Sequence, residues 1–149
     1  MEFNIPKPLK EEHDELHAEL ANATQVSGRI GEAARAVADV LHPHFVKEEE
    51  YALPPLGILS LLAEGRISPD MKQVLAMTDR LKAELPEMLQ EHKTIVVALK
   101  NMIDVAKKEN KPEYARVAEK VILHAQTEEE VMYPTTILIG EYLKLKLGK

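Results

Sequence analysis

Apolar residues recur at helical spacing along most of this chain, and no stretch alternates at period two over the length of a strand. In PLKEEHDELHAELANATQV, Leu9, Leu16 and Leu20 return on one side. Pro8 suits the first helical position, where its missing N–H would have no partner. Ser27–Gly28 and Gly31 mark a turn. A second run, GEAARAVADVLHPHFVKEEEYAL, carries Val37, Val40, Leu41 and Phe45. Pro43 should kink it or shift a hydrogen bond, and Pro54–Pro55 ends it. LGILSLLAEG is a short connector helix, and Ser68-Pro69-Asp70 starts another. The chain then stays helical to about Lys108, with Pro86 read as a break that opens a separate bundle helix holding Met88, His92, Ile95, Leu99 and Met102. After a turn at Asn110-Lys111-Pro112, a fourth helix runs to Met132, Pro134 interrupts it, and an apolar tail follows. The expectation is an all-α, antiparallel up-down-up-down four-helix bundle with short extra helices.

An internal repeat organises this bundle. HFVKEEEYALP from His44 aligns with HAQTEEEVMYP from His124, an offset of 80 residues. EEH ending at His13 aligns with QEH ending at His92 at an offset of 79. Each half is a helical hairpin with one His on its first helix and His-x-x-x-Glu on its second. The chain reads as a single domain over residues 1–149, with hairpins at about 8–54 and 86–134, a connector at 55–85 and a tail at 135–149.

Side chains four apart on a helix lie about 40° apart around it, so His44 shares a face with Glu48, and His124 with Glu128. That face is the apolar one: Val117, Val121, His124, Glu128 and Met132 fall in step, as do Val37, Leu41, His44, Glu48 and Tyr51. His92 lies between Met88 and Ile95, and His13 between Leu9 and Leu16. Burying an unpartnered carboxylate costs several kcal/mol, in a domain whose whole stability is about 5–15 kcal/mol. A bound cation offsets that cost. Imidazole with carboxylate suits iron, manganese or zinc, and two carboxylates among the nitrogens suggest two bridged ions about 3.5–4 Å apart.

His17 follows His13 by one helical turn and is either a partly exposed helix histidine or a further ligand. His42 sits about 200° around the helix from His44, so an ideal helix cannot present both to one centre. Glu49, Glu50, Glu129 and Glu130 read as a solvated acidic face, with Glu49 and Glu129 as reserve bridging groups. Tyr51 reads as core or as support for the ligands.

Composition narrows the function. A net charge of −6 argues against nucleic acid, whose phosphates require a basic face. The absence of cysteine removes disulfides, thiolate metal sites and Cys nucleophiles. No apolar run resembles a signal peptide or a membrane span, so a cytoplasmic protein is expected.

From PLKEEH through HFVKEEEYALPPL and QEHKTI to HAQTEEEVMYP, the chain resembles the hemerythrin-like, HHE cation-binding domains. The resemblance implies a non-haem di-iron centre with His13, His44, Glu48, His92, His124 and Glu128 as ligands. Oxygen-carrying members have a further His where this chain has Val96, and a bridging Asp where it has Glu129. His17 could supply the missing histidine. One iron would then take His13, His17 and His44, the other His92 and His124, with Glu48 and Glu128 bridging. Ferritin-type centres use Glu-x-x-His, which is absent here.

The expected function is binding of a small diatomic ligand, oxygen or nitric oxide, for carriage, storage or sensing, with zinc or manganese as substitutes for iron. Alternatives are an iron store that repairs other iron sites, and an enzyme consuming peroxide or nitric oxide. No nucleophile or proton relay is legible, which leans away from an enzyme. The apolar TTILIGEYLKLKL and LGILSLL segments could cover a homodimer surface or cap the bundle.

Overall fold

The computed structural model describes residues 3–148. Four long helices form the bundle: α1 (Lys7–Thr24), α2 (Arg29–Lys47), and, beyond a short α3 (Leu59–Ala63), α4 (Val74–Lys108) and α5 (Pro112–Thr127). A last helix, α6 (Tyr133–Leu147), continues from α5. The described residues contain no strand. Helices α1 and α5 close a ring whose other neighbours are α1–α2, α2–α4 and α4–α5, as an up-down-up-down bundle requires. The turns obey local chemistry. Gly28 holds φ at 82°, and Asn110 holds φ at 56°, the left-handed region that these two residue types enter most readily.

Two prolines behave differently from the sequence expectation. Pro86 does not start a new helix; α4 runs through it for 35 residues. Pro86 and Lys82, whose carbonyl it cannot reach, both face outward, so water can take the orphaned acceptor. The buried stripe Leu81, Met88, His92, Ile95, Leu99 therefore passes without a break. Pro134 likewise does not end the helical path. It falls in the first turn of α6, after a π-helical turn has already interrupted the usual hydrogen-bond ladder.

That π turn occurs twice, at Glu48–Ala52 and Glu128–Met132. In both, an N–H reaches back five residues to a glutamate carbonyl: Leu53 to Glu48, and Tyr133 to Glu128. Each turn begins at the glutamate of a His-x-x-x-Glu and ends two residues before a proline. The repeat seen in the sequence is thus a repeat of backbone geometry, and π turns are frequent at functional sites.

Apolar packing leaves a polar layer in the middle. On one side lies the cluster of Leu16, Leu20, Phe45, Ile95, Leu99, Met102 and Val121. On the other, Tyr51, Ala52, Leu81, Met88 and Tyr133 pack together. Beyond them, α6 and the connector close the end of the bundle, with Leu53, Leu56, Leu62, Met71, Val74, Ile139 and Leu143 in one cluster. The apolar tail and LGILSLL segment therefore supply a cap. No helix among the described residues is long and apolar enough to cross a membrane.

Candidate metal centre

His13, His44, Glu48, His92, His124 and Glu128 are all buried, none more than 5% exposed, and all lie in the polar layer between the apolar clusters. Each histidine turns its Nε2 inward. His13 Nε2 lies 3.1 Å from Glu48 Oε1, and His44 Nε2 lies 3.4 Å from Glu48 Oε2. His92 Nε2 is 3.2 Å from Glu128 Oε1, and His124 Nε2 is 3.1 Å from Glu128 Oε2. The donor atoms gather into two groups, each compact enough for one ion: His44, Glu48, His92 and Glu128, and His13, His124 and Glu128.

The outward nitrogens are anchored just as regularly. Nδ1 of His13 donates to Glu49 at 2.7 Å, His44 to Glu91 at 2.7 Å, His92 to Glu129 at 3.0 Å, and His124 to Glu12 at 2.7 Å. These bonds link α1 to the turn after α2, α2 to α4, α4 to the turn after α5, and α5 back to α1. A carboxylate on Nδ1 fixes the tautomer and ring orientation and leaves Nε2 free to bind a cation. Glu49 and Glu129 stand partly in solvent, as the sequence suggested, and from there anchor the rings rather than lie between the two donor groups. Glu12 and Glu91 were missed. The signal was there, because a Glu precedes His13 and His92 and another follows Glu48 and Glu128.

Tyr133 also escaped the sequence reading. Its hydroxyl donates to Glu48 Oε2 at 2.5 Å and sits 3.1 Å from His44 Nε2 and 3.2 Å from His92 Nε2. The repeat places Leu53 opposite it, so the phenol breaks the pseudo-twofold and marks one half of the centre. Tyr51, which stands where the second half has Val131, instead reaches Glu84 and Met88.

His17 is not brought to the cluster. It is exposed on α1, with its ring 5.8 Å from that of His42, itself exposed, and 5.9 Å from Phe45. Phe45 occupies the space against His13, with ring centroids 3.9 Å apart. The grouping of His13, His17 and His44 is replaced by pairs drawn from different hairpins, because the bundle sets α1 against α5 and α2 against α4.

Electrostatics show how costly this layer is. Burial works against the charge on Glu48, yet hydrogen bonds from Glu128, His13 and His44 hold its carboxyl well below the usual 4.5. Burial and the neighbouring Glu48 charge push Glu128 well above it. Burial also opposes protonation of His13, His44 and His124, but the adjacent Glu48 and Glu128 carboxyl groups outweigh it. All three are raised, His124 to about 9. Burial, Glu48 and Glu128 push the Tyr133 phenol up, so it remains a donor. Without a cation, protons must neutralise the cluster.

Even then the layer is not satisfied. His124 Nε2 and Glu128 Oε2 lie 3.1 Å apart but are not aligned for a hydrogen bond, and both are buried without another partner among the described residues. Two buried polar atoms without partners, in a layer of nitrogens and carboxylate oxygens, fit a metal ion that would take the place of the protons. Comparison with curated proteins and with solved structures gives no match. The family model described as the hemerythrin HHE cation binding domain matches residues 4–136, nearly the whole chain. The chain belongs to the hemerythrin HHE cation-binding domain family.

Proposed function

We propose that this protein holds two metal ions, iron foremost, and uses them to bind a small diatomic ligand, oxygen or nitric oxide. One ion takes His44 and His92, the other His13 and His124, with Glu48 and Glu128 shared between them. The observation that carries the reading is the orientation of all four imidazoles. Every Nε2 points to the centre and every Nδ1 is tied to a glutamate. Imidazole and carboxylate donors together support iron, with manganese and zinc as substitutes.

The chain's own groups set the conditions. Apolar clusters above and below exclude water from the layer. Anchoring glutamates keep the rings from rotating away. Tyr133 supplies a hydroxyl within hydrogen-bonding distance of Glu48, which can hold that carboxylate in place. Bound iron supplies reversible electron donation to a diatomic ligand. These parts favour carriage, storage or sensing.

Metal analysis and an absorption spectrum test the reading. The protein reconstituted with ferrous iron should bind two equivalents, and Glu128→Ala should lose at least one. Air or nitric oxide should then change the spectrum of the native protein reversibly. A folded protein that takes up no iron, manganese or zinc overturns the proposal.

A further inference from the structure

The pseudo-twofold relates two clefts that differ in one decisive residue. Between α1 and α2, a small cleft of about 130 Å³ is lined by His17, Leu41, His42 and Phe45. Its counterpart between α4 and α5 measures about 460 Å³ and is lined by Val96, Ile122 and Ala125, with His92 reached at its wall. At the repeat offset Phe45 corresponds to Ala125, and His17 to Val96. Phe45 packs its ring on His13 at 3.9 Å and fills the first cleft. Ala125 has no side chain with which to do the same, so the second cleft stays open down to His92.

The lining of the second cleft carries two cations and one carboxylate that is already engaged. Lys93 and Lys100 stand exposed at its mouth, while the Glu129 carboxylate is bound to His92 Nδ1. A third groove, about 420 Å³ between α1 and α5, reaches His124, but Glu12, Glu15 and Glu19 line it, with a single cation, Lys120, paired to Glu19. Glu12 also bonds to His124 across that groove. An acidic lining repels anions, and a basic mouth on a protein of net charge −6 draws them in.

We infer that the α4–α5 cleft is the port through which small inorganic ligands reach the metal layer, and that Lys93 and Lys100 speed anions over neutral molecules. This rests on the metal reading above. The α1–α2 cleft is the same port closed by Phe45.

The test uses iron-loaded protein, with azide as the anionic probe and nitric oxide as the neutral one, followed by stopped-flow absorption. Ala125→Phe copies the closed half into the open one and should slow both ligands about tenfold or more, as a steric gate does. Phe45→Ala should open a second route and speed both. Lys93→Glu with Lys100→Glu should slow azide alone, by about tenfold, and reverse its dependence on ionic strength, as expected when attraction at the mouth becomes repulsion that salt screens. Leu123→Trp, in the acidic groove, should change neither rate. If Ala125→Phe does not retain iron, Val97→Trp on the exposed wall of the same cleft replaces it. Iron content is measured for every variant. A native protein without iron overturns the metal reading itself. Unchanged rates in iron-loaded Ala125→Phe or Val97→Trp, or slowing by Leu123→Trp, overturn the port alone. Azide kinetics unaffected by the lysine reversals overturn the role of the mouth.

Discussion

Tyr133 donates its hydroxyl to Glu48 across the bundle at 2.5 Å, joining the start of α6 to the turn that follows α2. Both groups are buried, Glu48 carries the charge, and the phenol keeps its proton. The bond is therefore a charge-assisted one in a dry layer, the stronger kind.

Removing that donor leaves Glu48 short of a partner. Tyr133→Phe should destabilise the protein without metal by about 1.5–3 kcal/mol, the range for a hydrogen bond to a charged group. With iron bound, the loss should shrink, because the cation takes over neutralisation of Glu48. Urea unfolding of both forms measures the difference. An equal loss with and without metal would mean that the phenol acts only through packing.

The anchoring glutamates should act on affinity rather than on folding. Glu91→Ala frees Nδ1 of His44, and Glu12→Ala frees that of His124. Loss of such a partner typically lowers metal affinity about 10–100-fold. Glu91 is 28% exposed and also holds Lys47, whereas Glu12 is 53% exposed, so Glu91→Ala should fall at the larger end. Competition with a chelator gives the affinities, and thermal unfolding of the metal-free variants should show little change beside them.

The titration of the histidines gives opposite pH trends for folding and for metal uptake. His13, His44 and His124 are raised in the folded chain above their ordinary value of 6.5. Their contribution to stability is full below 6.5 and is lost as pH rises through the folded values, to about 9 for His124. Without metal, stability should fall over that window. Metal binding requires these nitrogens free of protons, so affinity should rise over the same window, with proton release on binding. Glu48, held low, contributes stability above 4.5 that disappears as acid protonates it. Denaturant curves and calorimetric titrations at several pH values check both slopes.

A fourth prediction concerns the cap alone. Gly140 on α6 lies against the buried side chain of Thr78 on α4, and an added Cβ would collide with the Thr78 hydroxyl and its Cβ. Gly140→Ala should cost about 1–3 kcal/mol by overpacking. Thr78→Ala in the same chain should recover part of it. Iron stoichiometry should stay unchanged, because the contact lies away from the polar layer.

Much of this site was written in one dimension. His44 and Glu48 share a face because they are four residues apart, and His124 and Glu128 repeat the pattern 80 residues later. Local spacing also placed His13 and His92 among core positions, and burial of all six groups agrees. Pro86 and Pro134 misled, because a proline rule applied to the isolated helix cannot see that the freed carbonyl lies on an exposed face or that a π turn has already opened the ladder. Glu12, Glu49, Glu91 and Glu129 stood beside the ligands in sequence. Periodicity, however, points neighbouring side chains about 100° apart, and so put Glu49 and Glu129 on a solvated face and drew no attention to Glu12 or Glu91.

What the sequence by itself determined is the set of groups that belong to the core, since helical period and the repeat both fix which face each residue occupies. Tertiary structure alone decided the pairing. The order of helices around the bundle set His44 beside His92 and His13 beside His124, and it let Phe45 displace His17. It also brought Tyr133, 85 residues distant, to Glu48. Helical period reports direction about one axis, whereas a coordination group needs distances between several axes, and only packing supplies those.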